Sequence, residues 1–249
     1  MQNSIRHLAQ LIQEAQNIVF FGGAGVSTES GIPDFRSVDG LYHQKFDYPP
    51  ETILSHSFFV QKPTEFYSFY KEKMLFDPKC IRPNAAHFSL AEIEEAKEAE
   101  GGSLHVVTQN VDGLHTLAGS LNVHELHGSI HRNYCTHCGA FYPLSHVVES
   151  VGIPRCTCGG IVKPDVVLYQ EALDNQTVMA AIDAIATADL LIIGGTSMTV
   201  YPAAGLIHYF RGQHLVVINR DATSADDEAE LVIRSPIGEV FSGVMEQLS

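Results

Sequence analysis

Two kinds of hydrophobic pattern alternate along most of the chain. Short runs of consecutive apolar residues are typical of strands buried on both faces of a parallel sheet. Such runs occur at residues 18–21, 104–107, 123–126, 166–168, 190–193 and 215–218. Between them, apolar residues recur at helical spacing, as at Ile5, Leu8 and Ile12. The alternation predicts an α/β fold with a doubly wound, Rossmann-like parallel sheet.

Two regions interrupt this alternation and predict a second, smaller domain. Residues 37–80 are rich in Tyr, Phe, His and Pro, and we predict a helical insertion there, with one helix opened by Pro63. Residues 132–160 contain four cysteines, and we predict a zinc ribbon there. The two insertions would form the small domain. The remaining segments would form the large domain: 1–36, 81–131 and 161–249.

The charge of the chain argues against a nucleic-acid partner. The 249 residues include 29 acidic and 15 basic side chains, for a formal net charge of -14, whereas nucleic-acid binders usually present a clustered basic face. A zinc-ribbon module that binds nucleic acid is kept as the non-enzyme alternative, but only Arg155 is basic between Cys135 and Cys158. No apolar run approaches the roughly 20 residues that span a bilayer, so we expect a cytoplasmic protein without a membrane partner.

Four of the five cysteines have the spacing of a metal site. Two residues separate Cys135 from Cys138, and one residue separates Cys156 from Cys158. The interval between the two pairs is typical of a zinc ribbon. Four thiolates close a tetrahedron without an open position, which predicts one structural zinc ion. Because the second pair is shorter than usual, two histidines remain alternatives for the fourth ligand: His137 and His146. The fifth cysteine, Cys80, is expected to be a half-buried apolar residue.

A glycine-rich turn follows the first predicted strand. Gly23 and Gly25 begin a dinucleotide-binding pattern, in which glycines admit a pyrophosphate and a following helix offers free N–H groups, with Thr28 where a third glycine would stand. Residues 30–36 suggest an ordered flap over a ligand. The acidic residue that ordinary nicotinamide dehydrogenases place about 20 positions later has no strand before it here, so that class is disfavoured.

Polar side chains follow two more predicted strands. Asn110 can both donate to and accept from a carboxamide, and Asp112 can accept from its NH₂ group. His127 ends the next short strand and is a candidate general base, because an imidazole titrates near neutral pH. The carboxyl ends of parallel strands form the ligand crevice of α/β sheets. The pattern therefore predicts one site that contains all three residues.

These stretches together resemble the sirtuins, the NAD-dependent protein lysine deacylases, over nearly the whole chain. The motifs are GAGVSTESGIPDFR at residues 23–36, TQNVDGLH at residues 108–115, and His127-Gly128. The resemblance implies a deacetylase that acts on acetyl-lysine in proteins and consumes NAD. The amide oxygen would attack the nicotinamide ribose and expel nicotinamide. Water would then complete the reaction, which gives free lysine and O-acetyl-ADP-ribose. A mono-ADP-ribosyltransferase on the same scaffold is the alternative enzyme.

The resemblance also assigns residues to roles. His127 would be the base, and Asn110 and Asp112 would complete the catalytic set, with Asp112 holding the nicotinamide amide. The residues implied in NAD binding are Ala24, Thr28, Phe35, Arg36, Gln109, Asn110, Val111, Asp112, His127, Thr196, Ser197, Asn219 and Ile237. The residues implied at the two edges between which the substrate peptide lies are Asp165, Val166, Val167, Met198 and Val200. The oligomeric state is left open.

Overall fold

Most of the predicted strands form one parallel sheet. The computed structural model describes residues 1–34, 47–76 and 80–248. Their strands are β1 (Asn17–Gly22), β2 (Ser103–Thr108), β3 (Val123–Glu125), β4 (Gly128–Cys135), β5 (Phe141–Pro143), β6 (Val162–Val166), β7 (Leu190–Gly194), β8 (His214–Ile218) and β9 (Leu231–Ile233). Six of them, in the order β3-β2-β1-β7-β8-β9, pair in parallel. This is the strand order of Rossmann sheets, so the predicted fold class is confirmed.

Helices cover both faces of the parallel sheet. The helices of the described residues are α1 (Gln2–Glu14), α2 (Pro50–Ile53), α3 (His56–Gln61), α4 (Pro63–Lys73), α5 (Ala85–Ala99), α6 (Leu114–Ala118), α7 (Leu144–Glu149), α8 (Asn175–Thr187) and α9 (Ile237–Leu248). Alternate residues of β1 point to opposite faces: Ile18 and Phe20 pack with α1, α5 and α9, whereas Val19 and Phe21 pack with α8. The segment Ala203–Tyr209 also covers the second face, as a 3₁₀ helix.

The helical insertion packs on a second, antiparallel sheet of order β5-β4-β6. Fully buried aromatic rings of α4, among them Phe66 and Tyr70, share a core with Val166 and Leu168. The Tyr67 hydroxyl donates a 2.5 Å hydrogen bond to the carbonyl of Val162, which ties α4 to β6. The helix predicted from Pro63 is confirmed, whereas the domain boundaries stay a prediction.

Some details differ from the sequence-based predictions. Of the apolar run at 166–168, only Val166 belongs to a strand, β6, which lies in the antiparallel sheet and not in the parallel one. Strand β9 was not predicted, because its three residues give too short a run to stand out. Cys80 is exposed rather than half-buried. Among the described helices, none combines the length and apolar character needed to cross a membrane.

Candidate active site

One cavity lies where the order of the parallel strands reverses. It opens at the carboxyl ends of β1 and β7, where Gly23 follows one strand and Gly195 the other. Its volume is about 440 Å³. The switch point is the place where doubly wound sheets bind ligands, because the loops on its two sides turn in opposite directions and leave a crevice. The sequence motifs at 23–36 and 108–115 both contribute to its wall.

The glycine turn is built by close backbone contact. The N–H of Gly25 donates a 2.7 Å hydrogen bond to the carbonyl of Gly195, and a Cβ on Gly25 would lie 2.8 Å from the Cα of Gly195. Gly195 itself has φ of +59°, which favours glycine. The turn continues into two short 3₁₀ turns, Ala24–Val26 and Thr28–Ser30, so the predicted helix after the glycines is wrong.

A buried serine joins Asn110 to Asp112. Ser27, which is fully buried, donates from its hydroxyl to Oδ2 of Asp112 at 2.7 Å. The Asn110 Nδ2 group donates to the Ser27 hydroxyl and to the carbonyl of Gly23, each at 3.1 Å. With Nδ2 held in this way, the Asn110 side-chain oxygen is left to accept from a ligand. Sequence reasoning missed Ser27, although it lies inside the first motif.

Asp112 is held in a fixed orientation beside this serine. Its Oδ1 accepts a 2.9 Å hydrogen bond from the N–H of Leu114, at the start of α6, and its own carbonyl accepts from Nε2 of His131 at 3.0 Å. Burial raises the pKa of the Asp112 carboxyl, while the hydrogen bonds from Leu114 and Ser27 oppose that shift because they favour the charged form. The carboxylate is therefore oriented before any ligand binds.

His127 is oriented by one hydrogen bond to the main chain. Its Nδ1–H donates to the carbonyl of Gln109 at 2.9 Å. Because Nδ1 carries the proton, the neutral ring has its lone pair on Nε2. Burial lowers the pKa of His127, although the hydrogen bond to Gln109 acts in the opposite direction. The ring is thus kept neutral, as a general base must be.

The cavity brings together most of the residues predicted to bind NAD. The side chain of Gln109 donates to the Thr196 hydroxyl at 3.0 Å and so joins the loops that follow β2 and β7, on either side of β1. The predicted NAD residues that line the cavity are Ala24, Thr28, Gln109, Asn110, Val111, Asp112, His127, Thr196, Ser197, Asn219 and Ile237. The other two, Phe35 and Arg36, lie outside the described residues. The roles of all these residues remain predictions.

Only three of the five predicted peptide-binding residues line the cavity. Val166, Val167 and Val200 line the cavity. Two others are not among its described lining residues: Met198 is buried with φ of +55°, and Asp165 accepts a 2.7 Å hydrogen bond from Arg132. We therefore expect these two to act through the backbone or through neighbouring residues. Which of the five contacts a peptide remains a prediction.

The four clustered cysteines form a pocket suited to a metal ion. Their Sγ atoms all lie within 4.8 Å of one another, and Cys135 and Cys158 are 3.5 Å apart. A zinc ion with four thiolates at about 2.3 Å places sulfur atoms about 3.8 Å apart, so the donor set fits zinc. A Cβ at Gly160 would lie 2.6 Å from Cys135 Sγ, which explains a glycine beside the sulfur atoms.

The short second pair keeps both of its thiols in the cluster. The N–H of Cys158 donates to Cys156 Sγ at 3.4 Å, and Cys156 N–H donates to the carbonyl of Gly160 at 2.9 Å, which closes a tight turn. His146 is not part of the cluster, because its Nε2 donates to the carbonyl of Arg155 at 3.1 Å. Nor does the ring of His137 join it. The four thiols are the candidate ligands.

Comparison with known proteins places the chain in a family. A model described as the Sir2 family matches residues 23–202, which include the glycine turn, the 108–115 motif, His127 and the cysteines. The chain belongs to the Sir2 family. The predicted resemblance to sirtuins is therefore confirmed.

Similar Sir2 proteins align over the whole length. An NAD-dependent protein deacetylase of Clostridium acetobutylicum is 57% identical over 247 residues, which is 98% of both chains. One of Staphylococcus aureus strain Mu50 is 41% identical, over 99% of this chain and 100% of the relative. A solved Sir2 complex with a p53 peptide and NAD⁺ is 36% identical over 97% of each chain, with a TM-score of 0.83. Another, with a deacetylated p53 peptide and 3'-O-acetyl-ADP-ribose, reaches 0.88, at 36% identity and 98% coverage of each chain.

Proposed function

We propose that this chain is an NAD-dependent protein lysine deacetylase, which transfers the acetyl group from lysine to ADP-ribose and releases nicotinamide. One observation carries the proposal. A neutral histidine with its lone pair on Nε2 and a serine-linked Asn110–Asp112 pair line the same cavity. The Asn110–Asp112 pair can form hydrogen bonds with a carboxamide, and the histidine can take a proton from a hydroxyl group. The curated relatives of similar length are named for the same activity.

We assign different parts of the cavity to different parts of the NAD molecule. NAD supplies the ADP-ribose that accepts the acetyl group, and nicotinamide is its leaving group. The turn at Gly23 and Gly25 allows the backbone to approach the pyrophosphate, since no Cβ intervenes. Asn219 and Ile237, on the far side of the cavity, are assigned to the adenosine half. Asn110 and Asp112 are assigned to the nicotinamide half.

Asp112 would hold the nicotinamide amide, and Asn110 would position the ribose side of the cofactor. The Asp112 carboxylate accepts from the amide NH₂, and the Asn110 side-chain oxygen remains available as a second acceptor. Ser27 keeps both side chains in place by donating to one and accepting from the other. Such preorganisation lowers the barrier only if it favours the geometry of the departing nicotinamide over that of bound NAD.

His127 moves the proton in the later step. Its Nε2 would take the proton of a ribose hydroxyl, which then attacks the acetyl carbon. Water completes the reaction, so that the lysine amine is released and O-acetyl-ADP-ribose is formed. The resulting imidazolium is stabilised by the carbonyl of Gln109, which accepts from Nδ1–H at 2.9 Å. Burial disfavours the charged ring, so the proton is passed on readily rather than held.

The substrate and the zinc ion complete the proposal. An acetyl-lysine peptide would lie as an added strand against the segment 165–167, between it and the segment 197–201. The four cysteines would hold zinc as a structural element away from the reacting atoms. Four thiols arranged for a metal rather than for disulfides support the cytoplasmic location predicted from the sequence.

Replacing the base separates chemistry from binding. His127→Ala is expected to lower kcat for deacetylation by roughly 10²–10⁴, while the affinity for NAD, measured by calorimetry, changes little. The matched control is His208→Ala, because His208 is an exposed histidine of the segment Ala203–Tyr209. Near-normal turnover by the His127 variant would refute the assignment of the base.

A further inference from the structure

The segment that follows β6 is held in shape from both sides. Three of its residues, Val166, Val167 and Leu168, line the cavity. On its inner side, the N–H of Val167 donates to the carbonyl of His127 at 3.0 Å. This bond ties the segment directly to the proposed base. The groups that hold the rest of the segment are two charged side chains, Lys163 and Glu171.

Glu171 is the meeting point of three elements. Its Oε2 accepts from the N–H of Leu168 at 2.9 Å and from Nζ of Lys163 at 3.0 Å. Its Oε1 contacts Nδ1 of His56, at the start of α3, at 2.8 Å. Next to it, Gln170 has φ of +76° and accepts from the N–H of Ser57 with its side chain at 3.0 Å. The carboxylate therefore joins the end of the segment to the helical insertion.

Lys163 forms hydrogen bonds with the other end of the same segment. Its Nζ donates to the carbonyl of Val166 at 2.9 Å and to that of Pro164 at 3.2 Å, in addition to pairing with Glu171. Both charged side chains are only 20% exposed, so this ion pair is screened by solvent less than a surface pair. Together, the two side chains bracket the backbone from residue 164 to residue 168.

We propose that Lys163 and Glu171 are positioning residues that set the shape of the peptide-binding edge at residues 166–168. This inference rests on the proposed function, which places the acetyl-lysine peptide along that edge. An added strand binds through main-chain groups, whose direction is fixed by the backbone on which they lie. A change in this ion pair therefore acts on the peptide, whereas the NAD loops at Gly23 and Gly195 belong to other elements.

The test compares the two substrates in one set of variants. Steady-state deacetylation is measured for the full chain with the peptide varied at saturating NAD, and then with NAD varied at saturating peptide. The variants are Glu171→Gln, Lys163→Met and the double variant, with Glu95→Ala, on the exposed face of α5, as the control. Each single variant is expected to raise the peptide KM about tenfold, with kcat and the NAD KM within about twofold.

The double variant distinguishes a joint role from two separate ones. If the pair acts as a unit, the double variant raises the peptide KM by much less than the product of the single effects. An unchanged peptide KM, or a rise in the NAD KM as large as that in the peptide KM, would overturn the proposal. If Glu171→Gln does not fold, Lys163→Met decides the question alone, with melting temperature as the check on folding.

Failure of the proposed function would be visible separately. In that case the wild type forms no nicotinamide from NAD and acetyl-lysine peptide. The binding of a fluorescent acetyl-lysine peptide, measured by anisotropy for wild type and variants, then tests the edge directly. Weaker binding by the variants supports the positioning role, and equal binding overturns it.

Discussion

The Ser27 hydroxyl and the Asp112 carboxylate, 85 positions apart in sequence, are joined by a hydrogen bond of 2.7 Å. Ser27 belongs to the turn after β1, and Asp112 belongs to the loop after β2. Because Asn110 also donates to the Ser27 hydroxyl, one buried atom aligns both polar residues of the proposed nicotinamide site. The first motif therefore also orients Asn110 and Asp112, in addition to the pyrophosphate contact proposed for its glycines.

Loss of this hydroxyl should weaken catalysis more than folding. Ser27→Ala leaves Oδ2 of Asp112 without its buried donor, and we expect kcat/KM for deacetylation to fall about 10- to 100-fold. The control is Ser103→Ala, which removes a serine hydrogen bond to Asn17 at the opposite end of the sheet. Equal activity in the two variants, at equal melting temperatures, would show that Ser27 has no special role.

The pH profile should report the lowered pKa of His127. A base works when it is neutral, and a pKa below the usual value of about 6.5 keeps the ring neutral to lower pH. The midpoint of the fall in kcat/KM on the acid side is therefore expected below pH 6.5. The measurement is kcat/KM from pH 5 to pH 9. An acid limb centred above 7 would contradict the pKa shift.

Zinc should stabilise the ribbon without taking part in the reaction. Cys138→Ser removes one of four thiols and is expected to lower the melting temperature by about 10 °C, because metal binding contributes directly to folding. Cys80→Ser is the control, since Cys80 is exposed and lies outside the cluster. Metal content by mass spectrometry should show one zinc per wild-type chain. A zinc-free chain with the wild-type melting temperature would refute this prediction.

The parts predicted correctly from sequence are those whose signal is local. The apolar runs of β1, β7 and β8 are short and largely buried on both faces, as is typical of strands inside a parallel sheet. The cysteine cluster was predictable because metal ligands must be close in space, and short spacings within each pair achieve this. The position of the polar residues after β2 was predictable as well, because the carboxyl ends of parallel strands lie at one edge of the sheet.

The parts missed depend on partners far away in sequence. The apolar run at 166–168 has the same appearance as a parallel strand, and only its pairing with β4 shows that β6 belongs to the other sheet. The turn after Gly25 lacks a long helix, because Gly31 reverses the chain with φ of +87° and Pro33 follows. Asn84 also stabilises this turn, because its Nδ2 donates a 2.7 Å hydrogen bond to the carbonyl of Val26. No local sequence pattern predicts this contact.

The central claim is tested most directly by identifying the products. The full chain is incubated with NAD and an acetyl-lysine peptide, and the mixture is analysed by mass spectrometry, with His127→Ala in parallel. The account predicts nicotinamide, O-acetyl-ADP-ribose and free lysine peptide in equal amounts, with all three strongly reduced in the variant. A peptide that gains the mass of ADP-ribose, or NAD consumption without loss of acetyl from lysine, would contradict it.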